Sequence, residues 1–174
     1  WKTTVGPGPP SLLFYPFMGG IEDMPPTVFI VDDDPSVRKS LERLLRASGF
    51  TTQAFASAED FLACRPCQNP KEPACLVLDV RMPGISGINL QQKLAKTGII
   101  LPVVFITGHG DIPMSVQAMK DGAIDFLPKP FAEKELLAAV EQALTKAARL
   151  QEETAEKAEI HRRVNTLTPR EYEV

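Results

Sequence analysis

The sequence predicts a doubly wound α/β fold, a five-stranded parallel sheet with helices on both faces. Five strand-length runs alternate with five stretches of helical periodicity, and such alternation closes through β-α-β crossovers onto one parallel sheet. At 174 residues the chain is long enough for one domain with a real core, plus a tail.

The elements follow in order. "TVFIVD" (27–32) is an apolar run of strand length. In "PSVRKSLERLLRAS" (35–48), Val37, Leu41, Leu44 and Leu45 share one helical face, Pro35 suits the first turn and Gly49 the stop. "FTTQAF" (50–55) alternates like a strand. "SAEDFLAC" (57–64) opens with Ser57 as N-cap and Asp60 at the third helical position. "ACLVLDV" (74–80) is a second buried strand. "SGINLQQKLAKT" (86–97) is amphipathic through Ile88, Leu90 and Leu94. "LPVVFIT" (101–107) is a strand. "PMSVQAMK" (113–120) is a short helix stopped by Asp121-Gly122, "AIDFLP" (123–128) the last strand, and "FAEKELLAAVEQALTKAARL" (131–150) a long helix.

Residues 1–26 hold six prolines and four glycines and read as an irregular extension. The chain opens on Trp1, and Met24, just before the first strand, is the expected native start. "SLLFYPFM" (11–18) is short, broken by Pro16 and lacks a cleavage pattern, so it is not read as a signal peptide. No run approaches the ~20 apolar residues of a membrane span. A net charge of −3 argues against a general nucleic-acid binder. Three cysteines, Cys64, Cys67 and Cys75, make no disulfide framework and suit a reducing, cytoplasmic setting. Cys64 and Cys67 are formally C-x-x-C. Zinc would need two more ligands, with Cys75 one candidate, and a redox motif would need a strand-to-helix turn; incidental loop cysteines are favoured over both.

In doubly wound sheets, ligands bind beyond the carboxyl ends of the strands. There the first strand offers Asp32, Asp33 and Asp34, the third Asp79, the fourth Thr107-Gly108, and the fifth is followed by Lys129-Pro130. Converging carboxylates need a proton or a cation, since two unit charges ~4 Å apart repel by about 4 kcal/mol at an effective dielectric of 20. Hard oxygen ligands with room for water suit Mg²⁺. A hydroxyl and an ammonium suit phosphate oxygens, and a carboxylate facing them is placed to attack phosphorus. Taken singly, Asp34 is a helix cap or solvated charge, Thr-Gly a turn and Lys-Pro a surface loop. Four such groups at four strand ends favour a common site.

"VDDD" (31–34), "LVLDVRMPGISG" (76–87) and "FITGHGDIPMSVQAMKDGAIDFLPKPF" (105–131) together resemble the receiver domain of two-component response regulators, of the FixJ/NarL type, over about residues 27–145. The resemblance implies the flavodoxin-like strand order 2-1-3-4-5. It makes Asp79 the phospho-acceptor, with Mg²⁺ held by Asp33, Asp79 and the backbone carbonyl of Arg81, and Asp32 acting indirectly. Thr107 and Lys129 would bind the phosphoryl oxygens, Phe126 would be the switch aromatic, and Lys129-Pro130 a cis peptide, which an X-Pro bond allows at small cost. It further implies a sensor histidine kinase as donor, a homodimer through the helix 4–strand 5–helix 5 face, and a regulatory domain rather than an enzyme. The loop 64–74 is somewhat long for the family, and residues 1–26 have no counterpart in it.

After Leu150 the chain turns polar, and its mixed charges suit a solvated linker helix, 146–166, without a sustained heptad. Thr168-Pro169-Arg170-Glu171 is a capping box with Pro at the first helical position. "LTPRE" (167–171) resembles the opening of a LuxR-type helix-turn-helix, so 167–174 is expected to begin a truncated DNA-binding domain that would make the regulator a transcription factor. The rival readings are a stand-alone receiver acting by protein contact, an Asp-nucleophile phosphatase and a flavodoxin-like nucleotide binder. The phosphatase would want an acid two residues after Asp79, where Arg81 stands. The nucleotide binder would want a phosphate loop after the first strand, where Asp32 to Asp34 would repel phosphate.

Overall fold

The computed structural model of the chain describes residues 25–64, 72–99, 101–108 and 112–167. Five strands, β1 (Thr27–Val31), β2 (Thr51–Phe55), β3 (Ala74–Asp79), β4 (Val103–Thr107) and β5 (Asp125–Pro128), alternate with α1 (Pro35–Ala47), α2 (Ala58–Cys64), α3 (Gly87–Lys96), α4 (Ile112–Lys120) and α5 (Glu133–Leu167). Every strand pairing is parallel and the order is β2-β1-β3-β4-β5, as expected.

Strand periodicity sorts the core into two layers. Val28, Ile30, Cys75, Val77, Val104 and Ile106 face one side and pack on Leu41 and Leu45 of α1 and on Leu136, Val140 and Leu144 of α5. Phe29, Val31, Leu76, Leu78 and Phe105 face the other and pack on Phe61 of α2, Leu90 and Leu94 of α3 and Ala118 of α4. Burial on both faces explains why β1, β3 and β4 read as unbroken apolar runs, whereas the edge strand β2, with Thr51 and Gln53 exposed, alternates.

Helix termini match the sequence signals. Asp34 is extended and accepts a hydrogen bond from Ser36 N at 2.8 Å, so it is the N-cap of α1, with Pro35 at its first position. Asp34→Ala is expected to cost about 1 kcal/mol in urea unfolding. Ser57 Oγ accepts from Asp60 N at 3.1 Å and Ser86 Oγ from Asn89 N at 3.3 Å, capping α2 and α3. Gly49, at a φ of +89°, ends α1 as expected.

Three differences from the sequence reading have physical reasons. β4 begins at Val103 and β5 at Asp125, because strand pairing starts only where a neighbour is in register: Val104 lies opposite Asp125. Cys75 sits in the core of β3, where burial pushes its thiol far above the ordinary range, so it is an inert apolar residue and not a zinc ligand. The long helix 131–150 and the linker helix 146–166 expected from the sequence are one continuous helix that runs to Leu167. It packs on the sheet as far as Ala147, and Gln151 Nε2 donates to Glu72 O at 3.1 Å. Beyond that it is solvated and carries its own ion pairs, Arg149–Glu153 and Glu159 with Arg162 and Arg163. No helix among the described residues is long and apolar enough to cross a membrane. Cys67, the N-terminal extension and the Thr168–Glu171 capping box lie outside the described residues.

Candidate functional site

The order β2-β1-β3 places the topological switch between β1 and β3, because the chain leaves β1 for β2 on one side and β3 lies on the other. Asp32, directly after β1, is fully buried. Asp33 is exposed, and Asp79, the last residue of β3, is 5% exposed. One carboxylate oxygen from each lies within 4.8 Å of the other two. At that separation two unit charges repel by roughly 3–4 kcal/mol at an effective dielectric of 20.

Among the described residues, one side-chain cation pairs with their carboxylate oxygens. Lys129 Nζ lies 2.8 Å from Asp32 Oδ2 and 3.3 Å from Asp79 Oδ1. The other Asp32 oxygen, Oδ1, accepts the Asp34 N–H at 2.8 Å, so both oxygens of Asp32 are engaged. Burial raises the Asp79 carboxyl above its ordinary value; Lys129 draws it back, and Asp32 and Asp33 push it up again. Burial also opposes the charge on Lys129, but its hydrogen bond to Asp32 and the charges of Asp32 and Asp79 win, so the ammonium is held above its ordinary value. Three carboxylates exceed the Lys129 ammonium and the guanidinium of Arg38 on the neighbouring carbonyls, and this oxygen-only donor set fits a hard divalent cation.

The remaining expected residues are brought to the same end of the sheet. Thr107, the last residue of β4, is 1% exposed, and its carbonyl accepts from Lys129 N at 2.6 Å. The Lys129-Pro130 peptide is cis, as expected. Arg81 is exposed on the loop after β3. Phe126 on β5 is half-buried, its ring centroid 6.1 Å from that of Phe105. It lines an open groove of about 580 Å³ with Val116 and Met119 of α4, both nearly half exposed.

A model of the response regulator receiver domain matches residues 28–141. The chain belongs to the response regulator receiver family. The chain is 48% identical over 147 residues to Nodulation protein W of Bradyrhizobium diazoefficiens, covering 84% of this chain and 63% of that protein. The chain thus spans less than two thirds of that relative. Among solved structures it is similar to response regulator StyR, at 50% identity and a TM-score of 0.77 over 84% of this chain and 73% of the other. It is also similar to FIXJ-N, at 45% identity and 0.63 over 70% and 95%.

Three structural features of the receiver's site were missed from the sequence. Arg38 Nη1 donates to the carbonyls of Asp32 at 2.7 Å and Asp33 at 3.0 Å. Glu59 Oε1, on α2, accepts from Ile85 N at 3.1 Å and so ties down the loop after β3. Gly87 sits against the Asp79 carbonyl, and its N–H bonds Val80 O at 3.0 Å. A base in the first turn after an acidic run is a local signal for Arg38. Glu59 and Ile85 lie 26 residues apart, so no local pattern links them.

Proposed function

We propose that the receiver domain accepts a phosphoryl group on Asp79 from a sensor histidine kinase, the class of donor that serves its family, and that Mg²⁺ assists. The observation that carries this is the convergence of Asp32, Asp33 and Asp79 on one point, with Lys129 reaching Asp32 and Asp79. Asp33, Asp79 and the Arg81 carbonyl would hold the cation. Asp32, with both oxygens already engaged, acts at one remove. Bound there, Mg²⁺ would neutralise charge on the phosphoryl oxygens.

An Asp79 carboxylate oxygen attacks phosphorus, the bond to the donor's imidazole nitrogen breaks, and the electron pair leaves with the imidazole. The product is an acyl phosphate. Lys129 exchanges its 3.3 Å contact with Asp79 for a phosphoryl oxygen, and the Thr107 hydroxyl donates to another. The backbone bond between Thr107 and Lys129 couples these two shifts. Phe126 responds from the adjoining strand, and the groove it shares with Val116 and Met119 of α4 would form part of a dimer face of α4, β5 and α5. That the chain spans only part of its relatives, among them a transcriptional regulatory protein FixJ, supports a further output domain that acts on DNA, making the whole protein a regulator of transcription rather than a turnover enzyme.

The test is labelling by acetyl phosphate. With Mg²⁺ the domain should gain one base-labile phosphoryl group, read by intact mass. With excess EDTA it should gain none. Equal labelling in both would sink the metal assignment.

A further inference from the structure

We propose that Arg38 is a positioning residue for the cation-binding acids, acting through the backbone that carries them. This rests on the reading that Asp33 and Asp79 hold Mg²⁺. The chain leaves the sheet at Asp32, whose N–H still bonds Phe55 O on β2 at 3.2 Å, and enters α1 at Pro35. In that short span two acids must leave the backbone in different ways. Asp32 goes into full burial beside Lys129, and Asp33 stays at the exposed rim of the same cluster.

Asp32 is held by its own side chain, through Lys129 and Asp34 N. Asp33 has no such restraint: among the described residues, its one side-chain tether is the bond from Arg38 Nη1 to its carbonyl. The same nitrogen bonds the preceding carbonyl, so both peptide planes are fixed from one point. Fixing those planes fixes the direction of the Asp33 Cα–Cβ bond, and with it where the carboxylate can reach. Arg38 is itself anchored, since its N–H bonds Asp34 O at 3.1 Å at the start of α1, and its side chain is half-buried. A guanidinium suits this task because it stays charged and its donors have fixed directions.

A positive charge beside a divalent-cation site would by itself weaken the cation's binding. The two effects therefore have opposite signs. If Arg38 acts by positioning, removing it weakens Mg²⁺ binding. If it acts only as a charge, removing it strengthens binding.

The experiment is calorimetric titration of the whole chain with Mg²⁺, for the parent, Arg38→Met, Arg38→Lys and Asp33→Ala. Loss of a residue that orients metal ligands typically weakens affinity on the order of 10-fold or more. Arg38→Met is expected to raise the Kd about tenfold. Arg38→Lys should lie between, because one ammonium can serve the two carbonyls only in part. In acetyl phosphate labelling, the Mg²⁺ concentration at half-maximal rate should rise by the same factor in Arg38→Met, and Arg38→Lys should fall between it and the parent. Affinity equal to or tighter than the parent in folded Arg38→Met overturns the proposal. If circular dichroism shows Arg38→Met unfolded, Arg38→Lys decides: weaker binding supports positioning, and parental affinity overturns it. Asp33→Ala separates the two levels. If it leaves the affinity unchanged, the metal assignment falls and takes this inference with it. If it weakens binding while Arg38→Met does not, the inference alone falls.

Discussion

Asp79→Asn should take up no phosphoryl group from acetyl phosphate under conditions that label the parent fully. The amide has nearly the same shape, so the strand end is preserved, but it carries no anionic oxygen to attack phosphorus. Intact mass before and after base treatment reads the result. Labelling equal to the parent's would move the acceptor elsewhere. The same variant has a stability signature. The Asp79 carboxyl is raised in the folded state, first by burial. A carboxyl with a raised folded value binds more protons folded than unfolded, so its contribution to stability falls as pH rises from the unfolded value through the folded one. Asn has no such proton. Without metal, thermal melts of Asp79→Asn should therefore lose part of the parent's decline above the ordinary carboxylate range. Mg²⁺ should stabilise the parent more than the variant, by mass action on the folded site.

Gly87→Ala should be among the most damaging single-methyl changes in the domain. A Cβ at Gly87 would fall against the Asp79 carbonyl oxygen, well inside van der Waals contact, and 3.1 Å from Leu78 Cγ. The first obstacle is backbone of a wholly buried strand, which cannot rotate aside as a side chain can. The Gly87 N–H is also committed to Val80 O. Either α3 must lift or the end of β3 must bend, and such overpacking costs about 3 kcal/mol. Urea unfolding checks the stability, and Mg²⁺ titration checks whether Asp79 has been displaced with its carbonyl. Gly108→Ala is the contrast, since among the described residues nothing lies within 4 Å of its Cβ position; it should change stability by less than about 0.5 kcal/mol. Equal losses in the two variants would show that close approach at Gly87 is not the cause.

How far the sequence was legible depends on where each signal lives. The α/β alternation and the order of elements were readable because strand burial, helical periodicity and caps are local. Ser57 with Asp60, and Asp34 with Ser36, are contacts within three residues. The Gly87 constraint was hidden, because a close approach between a helix start and a strand end leaves no trace in periodicity. Helix out to about residue 166 was legible from the polar, mixed-charge tail, but that it continues α5 without a break was not. Beyond Gln151 no core face marks the helix, and its periodicity gives way to ion pairs such as Glu159–Arg163.

The sequence by itself determined the set of chemical groups and the strand ends that present them: the acids after β1, Asp79 after β3, Thr107 ending β4 and Lys129 after β5. Only the tertiary structure decided how they divide the work. Asp32 and Lys129 are 97 residues apart, and their 2.8 Å contact exists only because β1 and β5 end at the same edge of one parallel sheet. That contact, with full burial, separates Asp32 from its neighbour Asp33; the family resemblance implied such a division, but residue type and local pattern alone do not give it. The physical reason is that charge acts through space: burial and the nearest opposite charge set each carboxylate's role, and neither is a property of the local chain.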